Sequence, residues 1–314
     1  MASHSDVHAL PGFVAIDALS VLRGGRRGAS VQITDGYLEG QRRVLAAVDL
    51  PIATDERKAI CRESRRIWED IHIDIDTLTE ENLWEASVRF RRLLRRLPEV
   101  RYLQRHYPET CVVVPEWLRT SSEVRYGARV YFFADDAPDP ESILEENIRA
   151  VLDESRGPFE RYQGSLHGYP ECCIDFYEGT TRSPETDPES LSIAPLEEPV
   201  RDDRLERGSP LSWSFDEILR GFFNDPQSYA FFAHEFYPEP GGETARRRGV
   251  EIYETLADAL PESLVRDYFR FNFGWSYLMA KAVRHRAEKT PEPGRFGREH
   301  ALLYLPLRIV LELY

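Results

Sequence analysis

Lysine is nearly missing from this chain: of its 40 basic residues only Lys58, Lys281 and Lys289 are lysines, the rest being arginine. Two causes produce that bias, a GC-rich genome or adaptation to high salt, where excess acid keeps a surface hydrated and self-repelling. The accompanying excess of acid favours a salt-adapted, halophilic archaeal source. Cysteine is scarce as well, with four residues at positions 61, 111, 172 and 173. That is no disulfide framework for a chain of 314 residues, and it implies a reducing compartment. Long apolar runs are absent too: no stretch approaches the roughly 18 to 20 residues that a membrane helix needs. The N-terminus, MASHSDVHALPGF, lacks a basic segment followed by a hydrophobic one. A cytoplasmic protein with no membrane association is therefore expected.

What is present is the balance of a globular protein, 42% hydrophobic and 30% charged, with a formal net charge of -14. That charge repels polyanions and disfavours nonspecific binding to nucleic acid or anionic membranes. The arginine-rich run from Arg284 to Arg298, with His285, Lys289 and Arg295, leaves a nucleic-acid role as one alternative. Arg23-Gly24-Gly25-Arg26-Arg27-Gly28 lacks the Gly-Lys-Ser/Thr of a P-loop and reads as a solvated turn.

Periodicity predicts an α+β fold, predominantly helical, with a small β-sheet in the N-terminal half. Thr54 to Ile71 and Thr77 to Leu97 carry apolar residues at helical spacing, the second opening on Thr-x-x-Glu. CVVVPEWL from Cys111 and ARVYFFA from Ala128 read as two strands that pair. Pro138 to Asp153 reads as a helix closed by Gly157-Pro158, which places a boundary between an N-terminal mixed region, 1–157, and a mainly helical region, 158–314. Residues 181–210, acidic and rich in proline, read as a linker or loop. Helices are expected over Ser214 to Phe223, Asp225 to Phe236, Glu243 to Leu260 and Pro261 to Arg286, and a break at Pro306.

The chemistry concentrates in HGYPECCIDFY, His167 to Tyr177. Glycine permits a turn, proline suits a first helical turn, and Cys172 and Cys173 then fall at a helix N-terminus, where the dipole favours thiolates. The pair is badly placed to bridge itself, since neighbouring trans Cα atoms lie about 3.8 Å apart, below the usual range of about 4.4 to 6.8 Å. Successive helical residues point about 100° apart, so the two thiols need not share a role. The bland alternative makes both thiols small hydrophobes in a noncatalytic interaction or structural module. Cys61 and Cys111 read as core residues, as does the series Tyr268, Phe271, Trp275 and Leu278.

The run from Gly168 to Phe176 resembles the Gly-(Tyr or Ile)-Pro-x-Cys-Cys-x-x-Phe box of an uncharacterised, mainly archaeal family, a domain of unknown function. Relatives in that family carry a second box, His-x-Phe-x-Pro-Cys-x-x-x-Cys. Here His234-Glu235-Phe236-Tyr237-Pro238 keeps its histidine, aromatic and proline, while Glu239 and Glu243 stand where its cysteines would be. The resemblance implies a composite site in which Cys172, Cys173, His167, His234, Glu239 and Glu243 hold a metal, zinc or iron. Alternatively, Cys172 or Cys173 acts as nucleophile with His234 as proton carrier. Four-thiolate cluster ligation is put in doubt by the two glutamates. Whether the two segments meet decides between a site and a packing role.

Overall fold

The computed structural model describes residues 7–8, 10–33, 54–119, 123–135, 137–181, 187–204, 226–284 and 305–314. The architecture is α+β and mainly helical, built round a three-stranded antiparallel sheet in the N-terminal half. Helix α1 (Gly12–Leu22) is buried from Gly12 to Val21 on every side, as a helix apolar all round must be. Its one buried carboxylate, Asp17, accepts hydrogen bonds from Arg26 and, at 2.6 Å, from the Tyr268 hydroxyl. Residues 10–12 and 305–307 meet beside it: the Gly12 amide donates to Leu305 and the Leu307 amide to Leu10.

Strands β1 (Gly28–Ile33), β2 (Cys111–Arg119) and β3 (Val124–Phe133) lie in the order β1-β3-β2. Because side chains alternate, this register gives the sheet two characters. Ser30, Gln32, Glu116, Arg129 and Tyr131 share one face. Val113, Trp117, Tyr126 and Phe132 share the other, beneath helices α3 (Glu80–Leu94) and α4 (Pro98–His106). There Phe90 of α3 stacks on Tyr126 and meets the edge of Trp117, and Tyr107 meets the edge of Phe132. Helix α2 (Thr54–Ile71) has the bounds that its periodicity predicts. Thr79, not Thr77, caps α3, accepting the Asn82 amide at 3.1 Å.

β2 is an edge strand, and helix α5 (Pro140–Leu152) covers it. Asn147 imitates a neighbouring strand: its Oδ1 accepts the Trp117 amide at 2.7 Å, and its Nδ2 donates to the Trp117 carbonyl at 3.0 Å. Gly157-Pro158 does not merely close α5. It opens a further helix, α6 (Gly157–His167), because a proline in the first turn sacrifices no hydrogen bond. Gly28 lies where β1 passes the end of α6, and a Cβ there would stand 2.7 Å from the Leu166 carbonyl oxygen.

Helix α7 (Glu171–Thr181) carries the two cysteines in its first turn, and α8 (Pro188–Arg204) follows. The latter corrects the loop expected over 181–210, of which 181 and 187–204 are described. Ser190, Ser192, Ile193 and Leu196 are buried, and that burial outweighs the local penalty of proline. The helix expected over Asp225 to Phe236 is instead a 3-10 turn, Pro226–Ala230, followed by irregular chain. Phe231, Phe232, Ala233 and Phe236 are all buried, with no single apolar stripe, and Pro238 and Pro240 follow. Helices α9 (Glu243–Ala257), α10 (Glu262–Arg284) and α11 (Leu307–Val310) complete the chain, the last beginning after Pro306 as expected. The helix expected over Ser214 to Phe223, and the run from His285 to Arg298, lie outside the described residues. One core cluster takes residues from both sides of position 157.

Replacing Asn147 by leucine keeps the volume but strips two buried backbone groups of their partners, at a cost of about 2 to 4 kcal/mol. Urea denaturation should show the midpoint falling with its slope unchanged, and an unmoved midpoint would refute the edge-capping role.

Candidate functional site

The turn into the Cys-Cys box is set by Gly168, whose φ of 70° caps α6 in the left-handed region. Tyr169 then donates its amide back to the Gly164 carbonyl at 3.0 Å, and the Pro170 carbonyl accepts from Cys173 and Ile174. Arg161 of α6 binds Glu171, Asp175 and Glu178 of α7, so one guanidinium fixes the two helices side by side.

The two sequence segments meet. The Glu239 amide donates to the Cys173 sulfur at 3.4 Å, and the Glu239 carboxylate accepts from the Cys172 thiol. The two sulfurs lie 3.9 Å apart. Cys173 is 1% exposed and Cys172 half-buried, in accord with successive side chains pointing to different surroundings. Cys111 is buried and Cys61 half-buried, both packed in or against the core.

Behind this junction lies a cavity of about 530 Å³ between the polar sheet face, α5, α6, α7, the start of α8 and residues 234–237. Its size falls in the range of about 300 to 1,000 Å³ usual for small-molecule sites. His167, Cys173 and His234 all line it; Cys172, Glu239 and Glu243 do not. Glu243 sits exposed in the first turn of α9, its carboxylate bound by Arg246, which holds it below its ordinary range. Of the six expected ligands, five thus gather at or behind the junction and Glu243 stays apart.

The floor is a charged pair in the sheet. Arg129 Nε donates to Glu116 at 2.7 Å, and its Nη1 to Ser30 at 3.1 Å. Gln163 of α6 reaches down to the Tyr131 hydroxyl at 2.9 Å. His167 is 6% exposed, its ring stacked on Tyr131, and its buried Nε2 has no hydrogen-bond partner among the described residues. Burial, reinforced by Arg26 and Arg129, holds the His167 pKa well below the ordinary histidine value. Burial also lowers that of His234, against the opposing pull of Glu235 and Asp17. The sequence predicts His234 at the end of a helix, and the structure corrects this. His234 lies in the turn after the 3-10 segment, stacked on Phe271, beside Glu235 with a φ of 57°.

The thiolates expected from the helix N-terminus are not favoured. Burial pushes the Cys173 thiol up to about 12, and burial together with Glu239 raises that of Cys172. Desolvation in this setting outweighs the dipole. Among the described residues no group of three or more His, Cys, Asp and Glu side chains is disposed to hold a metal ion.

The far wall holds residues that no sequence motif marks. Glu160, Glu189 and Glu235 line the cavity with Tyr177 and Tyr237, whose rings are stacked 6.1 Å apart. Burial, then a hydrogen bond with Asp187, pushes Glu189 up to about 7, and burial raises Glu160 despite Arg156. A charge within an apolar strand was the legible signal for Glu116 and Arg129; Glu160 and Glu189 carried none. No family model, curated protein or solved structure matches the chain, so the Cys-Cys-box resemblance rests on Gly168 to Phe176 alone.

Two outcomes follow. Alkylation by iodoacetamide should leave Cys173 unmodified in the folded protein, while the rate at Cys172 climbs through pH 9 without levelling off; a plateau near pH 7 would mean a thiolate. His167 is depressed, so its stabilising contribution is present above about pH 6.5 and lost as pH falls below it. Glu189 acts in the opposite sense, its contribution being present below its ordinary 4.5 and lost as pH rises towards about 7. The melting temperature of His167→Gln should therefore drop less than that of the parent between pH 7 and pH 5. Parallel curves would exclude a neutral buried imidazole.

Proposed function

We propose that the chain binds a small polar molecule in this cavity, with the HGYPECC box and the His234 segment forming one shared wall. The contact between the Glu239 amide and Cys173 carries the reading, because it joins the two segments at a cavity that both line. His167, His234 and Cys173 supply uncharged hydrogen-bonding groups, and the Arg129–Glu116 pair a fixed dipole, while Phe159, Ile174 and Phe236 supply apolar surface. Neutral groups in a dry site orient a ligand without competing for it electrostatically. Thiol chemistry at Cys173 would first require removal of a proton that its burial retains.

The rival readings find less support. The large hydrophobic residues exposed among the described ones are Val88 in α3, Leu191 in α8 and the neighbours Leu313 and Tyr314. The run on which a nucleic-acid role would draw, Arg284 to Arg298, lies beyond Arg284 outside the described residues, and among the described arginines Arg91, Arg96, Arg119 and Arg161 are engaged by carboxylates. No helix among the described residues is long and apolar enough to cross a membrane.

Saturation-transfer NMR with a library of small polar fragments tests the proposal. Hits are expected with the parent protein and should vanish in Val151→Trp, which fills the cavity from α5, at an unchanged melting temperature. A blank screen, or hits that survive the filled cavity, would remove the reading.

A further inference from the structure

Within that reading, and resting on it, we propose that the wall formed by Glu160, Glu189, Glu235, Tyr177 and Tyr237 is a subsite for an organic cation, an ammonium or guanidinium group on a short apolar stem. The arginines that line the cavity are each already engaged. Arg119 binds Glu154 at 2.6 Å, Arg129 binds Glu116 at 2.7 Å and Arg156 reaches Glu160 at 3.3 Å. Arg161 is held by the three carboxylates of α7. Among the described residues no ion pair reaches Glu189 or Glu235. The second oxygen of Glu160, Oε2, is buried with no hydrogen-bond partner among them. The cavity therefore carries surplus negative charge on one wall.

That wall stores electrostatic cost. Glu189 shares a hydrogen bond with the Asp187 carboxyl and feels the charge of Glu160, and Tyr177 feels both glutamates and Glu235. Like charges crowded in a half-dry pocket are stable only when protonated or when a cation joins them. Two stacked tyrosines beside the carboxylates complete the recognition chemistry, since an ammonium or guanidinium is drawn both to anionic oxygens and to aromatic faces.

A second, independent observation comes from the other side of the cavity. His167 Nε2 is buried and without a hydrogen-bond partner among the described residues, and buried polar atoms are ordinarily satisfied. It calls for a hydrogen-bonding group on the ligand. The occupant is thus a molecule with a cationic head at the glutamates and a polar uncharged group towards His167, the stem lying along Phe159 and Ile174. An anionic ligand is opposed by the unmatched carboxylates.

Calorimetric and NMR titration of the full chain with n-butylammonium, n-butylguanidinium, n-butanol and butyrate decides the matter. The two cations should bind about tenfold or more tightly than butanol or butyrate, and the Glu160→Gln/Glu189→Gln variant should lose about that factor. Because Glu189→Gln removes a charge that folding opposes, the variant should melt no lower than the parent at pH 8. Butyrate binding as tightly as the cations, cation affinity unchanged in the variant, or no cation binding would each overturn the proposal. Neutral or anionic fragments displaced by Val151→Trp would leave the cavity itself standing as a ligand site. A blank with every probe and in the fragment screen would bring down both.

Discussion

The Cys173 sulfur accepts the Glu239 amide across 66 positions of sequence, and the candidate site is assembled at that contact. A thiol is a weak acceptor, and a single such bond contributes little by itself. Its importance is geometric. It fixes the irregular segment after the 3-10 turn against the first turn of α7, and so holds Glu235, Phe236 and Tyr237 over the sheet. The Arg161 fan ties α7 to α6, and Asn147 ties α5 to β2. Three local devices thereby close one cavity.

Desolvation governs the chemistry inside it. Where a partner is near, the two groups meet in an ion pair, as Arg129 and Glu116 do on the sheet. Where none is near, burial works towards the neutral form: it lowers the pKa of His167 and raises those of Cys173 and Glu189. A helix N-terminus lowers a thiol's pKa only while water or a cation helps to stabilise the thiolate, and here burial and Glu239 act against it. The site is poised for hydrogen bonding to a ligand, with one wall of carboxylates whose charge is not balanced from within.

Much of the fold was legible because its periodicity was clean. Thr54 to Ile71, with its single apolar stripe, has its predicted bounds, and β2 and β3 announce themselves by β-branched and aromatic runs. Helix α1 was not legible for the opposite reason: a helix buried on all sides has no stripe to detect. β1, six residues of mixed polarity, pairs only because β3 offers it an edge. Proline misled over 181–210, since tertiary burial of Ser192, Ile193 and Leu196 decides the conformation of α8. In the site, the motif located Cys172, Cys173, His167 and His234, whose residue types are chemically conspicuous. Glu160 and Glu189 are ordinary surface residues until α6 and α8 are brought together, and no local pattern encodes that encounter.

Hydrogen exchange at the Glu239 amide, followed by NMR in the parent and in Cys173→Ala, tests most directly whether the two segments form one wall. The account predicts an amide protected to a degree comparable with the first turn of α7, and a large loss of that protection once the sulfur is removed. Exchange at the rate of an open loop in the parent, or protection unaffected by the substitution, would contradict it.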